Sequence, residues 1–192
     1  MKKPLLAVFC TLLLPSSVIP VQAQSFPEQM GFVTSSPDNR TAKDFVQAVM
    51  MNNKFEIVTG KLALERSQNP AIRDYATHVI AAHRKIGTDM KRVTDRSFVN
   101  RRVTPPPVFD PPHSKMHRAL LVSYGPAFDR LYLSQQMQDH QELMATLEGY
   151  AAGKSGYPPL QQFAHQTIPA IREHQAMLDR IAPPISGPVA AR

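Results

Sequence analysis

The chain has 192 residues, 43% of them hydrophobic, a formal net charge of +7 and a single cysteine, Cys10. That length suits one domain with a proper core, and one cysteine excludes a disulfide framework. Apart from Lys91-Arg92 and Arg101-Arg102 the basic residues are scattered, which implies no more than loose attraction to anionic surfaces.

Lys2 and Lys3 precede an apolar run from Leu5 to Leu14, which Pro15 ends. Val21-Gln22-Ala23 offers small residues where a signal peptidase cuts, so residues 1–23 read as a Sec-type signal peptide with cleavage before Gln24. The run is too short for a bilayer, which takes about 20 residues. No later stretch approaches that length, so the mature chain is expected to have no membrane span and to be periplasmic or secreted. Val8-Phe9 before Cys10 is not the context of a lipid-transfer site, so Cys10 should leave with the leader, and no thiolate remains to bind a metal. Nucleic acid is not an expected partner of an exported chain. Self-association is left open.

Residues 24–40 are polar and rich in Ser, Pro and Asn, a flexible lead-in. Thr41 with Asp44 has the form of an N-cap with an acid three places on, opening a helix to about Ser67. Asn69-Pro70 restarts the chain as N-cap and first helical residue, and a second helix runs to about Arg96. Val103 to Pro112 holds five prolines and reads as a long non-helical crossover. A short helix can begin after Ser114, Gly125-Pro126 interrupts it, and a third long helix runs to about Ala152. After a turn from Gly153 to Pro159, a fourth helix reaches Ile181, with a kink expected at Pro169, and residues 183–192 form a tail. No stretch alternates with a period of two. The expected fold is all-α: a ferritin-like four-helix bundle over residues 41–182, with a Pro-rich crossover between helices 2 and 3.

A helix turns about 100° per residue, so core-facing stripes can be read directly. Phe45, Val49 and Ala63 share one face of the first helix, with Glu56 on that line and Asn52 beside it. Ile72, Val79, Ile86, Met90 and Val93 form the stripe of the second, into which His83 projects, while His78 points aside. Tyr132, Leu143, Leu147 and Tyr150 enclose His140 in the third. Leu160, Ala164, Thr167, Ile171 and Leu178 form the stripe of the fourth, with His174 on its flank. Each helix thus carries one metal-competent residue on its apolar face: Glu56, His83, His140 and His174. A carboxylate or imidazole facing a core is costly unless satisfied. Either the four hold a metal ion between the helices, as inward carboxylates and imidazoles do in metal-binding bundles, or they form a hydrogen-bonded core network. A His-rich set suits Zn, Fe, Mn or Cu over Ca or Mg. Glu142 and Glu173 are candidate outer groups, although Glu142 is two residues from His140 and should face away.

Other signals are weaker. Nine methionines show no MxxM-type cluster and read as packing. His113 and His117 are four residues apart, a surface metal clip if the segment is helical, but read rather as a solvated loop pair. Nothing resembles a Ser-His-Asp order, so no catalytic residue is assigned.

Phe55-Glu56-Ile57-Val58-Thr59-Gly60-Lys61-Leu62-Ala63, Tyr75-Ala76 leading to His83, Gly125 to Leu133 leading to His140, and Ile168-Pro169 leading to His174 resemble the bacterial family called domain of unknown function 4142. The resemblance covers roughly residues 41 to 182. It implies an exported, ferritin-like protein, often labelled an outer membrane protein. That label does not fit a helical chain, because outer-membrane spans are β-barrels. The family pattern, a glutamate in the first helix and a histidine in each of the others, maps onto Glu56, His83, His140 and His174. The family's second-helix histidine usually follows an aspartate, and here Ala82 stands in that place, which bears on how firmly this member holds a metal. The paired Glu-x-x-His motifs of di-iron ferritins are missing, so iron storage is not implied. Three functions remain open: a periplasmic metal-binding bundle, a non-catalytic envelope-stress or interaction module with a structural polar core, and a zinc or manganese enzyme of unknown substrate.

Overall fold

The computed structural model describes residues 41–96, 108–153 and 156–181. The expected signal peptide and lead-in, the expected tail and residues 97–107, which include the start of the expected crossover, lie outside the described residues. Five helices follow in order, α1 (Ala42–Arg66), α2 (Pro70–Arg96), α3 (Pro111–Leu121), α4 (Gly125–Ala152) and α5 (Pro158–Ile181), and there is no strand among the described residues.

The caps explain the boundaries. Thr41 accepts a hydrogen bond from the Asp44 amide at 3.2 Å and donates its hydroxyl to the Asp44 carboxylate at 2.6 Å. Asn69 accepts from the Ala71 amide at 3.0 Å, with Pro70 as first helical residue. Asp110 caps α3 by accepting from the His113 amide at 2.9 Å. Pro111 and Pro112, expected in the non-helical crossover, instead form the first turn of α3. Proline is tolerated there because a first-turn N–H has no intrahelical partner anyway. Between α3 and α4 the chain needs φ +55° at Gly125, a left-handed conformation that glycine adopts without strain. Arg66 Nη1, at the end of α1, donates to the carbonyls of Leu120, Leu121 and Ser123 at 2.8–3.0 Å, taking up the bare C-terminal end of α3.

The long helices pack α1 on α2, α2 on α5, α5 on α4 and α4 on α1, while the short α3 lies against α1 and α4. The apolar interior has two parts. One joins Phe45, Val46, Val49 and Met50 of α1 to Ile86 and Met90 of α2, Leu143 to Tyr150 of α4, and Leu160 to Ile171 of α5. The other joins Leu62 and Ala63 to Ile72 to Val79, Phe128 and Tyr132, Leu120, and Leu178. Hence α1 and α5 run one way, and α2 and α4 the other. Phe45 stacks on Tyr150 at 4.0 Å between ring centroids in the first part. Phe128 stacks on Tyr132 at 6.1 Å in the second. Burying such a side chain contributes about 1.5–3 kcal/mol. At Gly60 a Cβ would lie 2.9 Å from Ile80 Cγ1, so a residue without a side chain lets α1 and α2 approach there.

Glu56, His83, His140 and His174 all fall, in sequence, between these two apolar parts of their helices. They form a polar layer across the middle of the core.

Candidate metal centre

Each member of the layer is carried inward by its helix's own apolar spacing. His83 stands between Val79 and Ile86, His174 between Ile171 and Leu178, and His140 three residues before Leu143, so the turn that buries those side chains buries the imidazoles. Glu56 is carried in by the Phe55–Ala63 segment of α1. All four are 0% exposed.

The three imidazoles meet. His140 Nε2 lies 2.9 Å from His174 Nδ1. Ring centroids are 5.0 Å apart for His140 and His174, 5.3 Å for His83 and His174, and 5.6 Å for His83 and His140. One ligand-competent nitrogen from each ring lies within 4.8 Å of the others. Donors on one tetrahedral ion with bonds of about 2.0–2.1 Å stand about 3.3 Å apart. Small side-chain adjustments would bring these three into that range.

Glu56 is placed differently. Its Oε1 lies 3.5 Å from His140 Nδ1, on the far edge of that ring from His174. His140 Nδ1 also donates to the Gln136 carbonyl at 2.9 Å. A carbonyl can only accept, so Nδ1 carries the proton, and in the neutral ring Nε2 has the free lone pair. His174 Nδ1–H then donates to it, leaving His174 Nε2 as a bare acceptor.

Several polar atoms of this layer have no hydrogen-bond partner in the protein. They include both nitrogens of His83, His174 Nε2 and the hydroxyls of Tyr75 and Tyr132. Leaving buried polar groups unsatisfied costs about 1–3 kcal/mol each. Such a concentration at one level of the core calls for a ligand, an ion or water. Electrostatics prepare the nitrogens for metal. Burial lowers the pKa of His83 well below its ordinary value, helped by His140 and His174. Burial also lowers His140, and it lowers His174 to about 3 together with His140 and His78. All three rings are therefore neutral at neutral pH, the form that ligates. Burial and then the neighbouring Asp139 raise the pKa of Glu56 well above the carboxylate range. Burial first and Glu56 next raise those of Tyr75 and Tyr132.

Next to Glu56 lies a polar chain that sequence reading missed. Asp139 Oδ2 accepts from Asn52 Nδ2 at 2.6 Å, and its Oδ1 lies 3.0 Å from His113 Nε2. His113 Nδ1 lies 2.6 Å from Asp110 Oδ1. His113, expected in a solvated loop with His117, is on a helix and buried, because the α3 cap turns its ring into the seam with α4. Burial of its ring opposes charge, but the hydrogen bonds and charges of Asp139 and Asp110 outweigh it and raise the pKa to about 9. Two signals were available. Asp110-Pro111-Pro112 has the form of an N-cap followed by helix-starting prolines. Asp139 falls at three-to-four spacing between Gln136 and Leu143, on the stripe that holds His140. The two outer candidates stay away from the histidines' nitrogens: Glu142 accepts from Gln138 at 3.1 Å, and Glu173 is 61% exposed.

The fold and site define an all-helical protein with three neutral, mutually close histidines enclosed in its core, a donor set that fits a transition metal. The chain belongs to the family described as Domain of unknown function (DUF4142), whose model matches residues 29–181. No curated protein and no solved structure matches it.

Proposed function

We propose that this is an exported envelope protein, a ferritin-like four-helix bundle that binds one transition-metal ion through His83, His140 and His174. Residues 1–23 serve as its leader, and the segment between α2 and α4 is the crossover that lets both helices point the same way. The Gln136 carbonyl, which accepts from His140 Nδ1, fixes that ring in its ligating tautomer, and Glu56, 3.5 Å behind the same nitrogen, ionises there only when a bound cation offsets its burial. Three imidazoles leave a further coordination position, so a bound ion would supply Lewis-acid or redox chemistry at that point. Zn, Fe, Mn and Cu all accept such donors.

The observation that carries this reading is His83. It is fully buried, and neither ring nitrogen has a partner in the protein. A histidine serving only a core network would have at least one nitrogen bonded. The His140–His174 hydrogen bond favours the second reading, a structural polar core in a non-catalytic interaction module. Elemental analysis of untagged protein purified from the periplasm separates the two. About one equivalent of a transition metal, lost in the His83→Ala, His140→Ala and His174→Ala variants, is expected. Metal-free protein that takes up none of Zn, Mn, Fe or Cu would leave only the structural reading.

A further inference from the structure

The interior histidines are fully buried, so a hydrated cation reaches them only by exchanging water for protein ligands step by step. Loading therefore needs a group at the surface that touches the buried set. On the α1–α4 side, α3 covers the interior, and His113 is clamped between Asp110 and Asp139. Both of its ring nitrogens are taken up by those carboxylates, so it offers an incoming ion no free lone pair.

The α2–α5 side differs. His78 of α2 is 41% exposed, and its ring meets that of His174 edge to face, with centroids 5.5 Å apart. His78 Nε2 lies 3.8 Å from Glu173 Oε1, and Glu173 is 61% exposed. His174 in turn is within 5.0–5.3 Å, centroid to centroid, of His140 and His83. One imidazole and one carboxylate thus face solvent together, a half-built site for a divalent cation, directly outside the innermost group.

We propose that His78 and Glu173 form a surface loading site that captures a divalent transition-metal ion and passes it through His174 to the interior site. This rests on the interior site being a metal site. His78 and Glu173 supply two of the ion's ligands while water supplies the rest. His174 then replaces water, and His83 and His140 complete the exchange as His78 and Glu173 let go. No ligand of the outer pair remains on the ion at the end. The pair therefore sets the rate of loading and release and not the affinity.

The test is stopped-flow loading of chelator-stripped protein with Co(II), followed by its visible absorption, and release into excess EDTA. His78→Ala and Glu173→Gln are compared with wild type and with His165→Ala, which removes an exposed histidine elsewhere on α5. In His78→Ala, loading and release should both slow by about tenfold, a change that about 1.4 kcal/mol of barrier produces. Kd and the final spectrum should match wild type, since Kd is the ratio of the two rates. Glu173→Gln should slow both in the same sense, and His165→Ala should do neither. Wild-type rates in His78→Ala overturn the loading site and leave the interior site standing. A weaker Kd or altered final spectrum overturns it too, by making His78 a permanent ligand. Equal slowing in His165→Ala overturns it by showing a general surface effect. Failure of wild type itself to bind Co(II) removes the interior site, and the loading site with it.

Discussion

His140 Nε2 and His174 Nδ1 lie 2.9 Å apart across the seam between α4 and α5, and both residues are fully buried. Without an ion, that contact is a hydrogen bond whose direction follows from the Gln136 carbonyl on the other side of His140. With an ion, at least one of the two rings must turn its lone pair to the metal, and the bond is exchanged for coordination.

His140→Ala separates these states. In chelator the substitution removes the acceptor of His174 Nδ1–H and should destabilise the fold by about 1–3 kcal/mol. Wild type with Zn(II) or Co(II) at 100 times Kd should gain about 2.7 kcal/mol, and the variant should gain none. Melting curves of both proteins, each with chelator and with metal, measure this. An equal metal-dependent rise in the variant would exclude His140 as a ligand.

Glu56→Gln tests the outer role of the carboxyl group. Gln keeps the shape of the side chain but cannot become an anion behind the ligated ring. Loss of such an outer partner weakens metal binding about 10–100-fold. The Co(II) spectrum should keep its shape, because the three nitrogens remain. A changed band pattern in a competitive titration would place Glu56 on the metal itself.

The charged His113 makes stability depend on alkaline pH. Its pKa is about 9 in the folded protein against an ordinary 6.5. A raised pKa means that the folded state holds the proton more tightly than the unfolded one. The stabilisation is then complete below about pH 6.5 and disappears as pH rises through about 9, and it amounts to on the order of 3 kcal/mol. Urea midpoints of wild type should fall between those values. His113→Gln should lower stability at pH 6 and flatten the alkaline fall. An unchanged fall in the variant would assign it to other groups.

Export is checked by the mature N-terminus. Mass mapping of protein from the native host should place it at Gln24 or within a few residues, with Cys10 absent. A lipid on Cys10 or an uncleaved start would move the protein out of the soluble periplasmic or secreted fraction and change its metal supply.

Much of the fold is legible in single residues. Thr41 and Asp44, Asn69 and Pro70, and Gly125 mark helix starts because capping is local chemistry, decided by groups within a turn of one another. The α1, α4 and α5 stripes were legible because helical spacing alone determines which residues share a face. That same spacing put Glu56, His83, His140 and His174 inward. It failed at Pro111 and Pro112, where proline content suggested a break and position made it a helix start.

Depth and azimuth across the bundle were another matter. Nothing along one helix states which of its turns lies opposite a turn of the next, because that depends on close approaches such as Gly60 against Ile80 and on how side chains interlock. Packing alone decided that the three histidines share one level. It put Glu56 behind His140 and not beside His174, linked Asp139 to Asp110 through His113, and left His78 at the surface against His174. The sequence by itself determined which residues face the core, since that follows from 3.6 residues per turn. The tertiary structure decided which of them meet, since contact between helices is a property of their relative rotation and translation, which no one helix encodes.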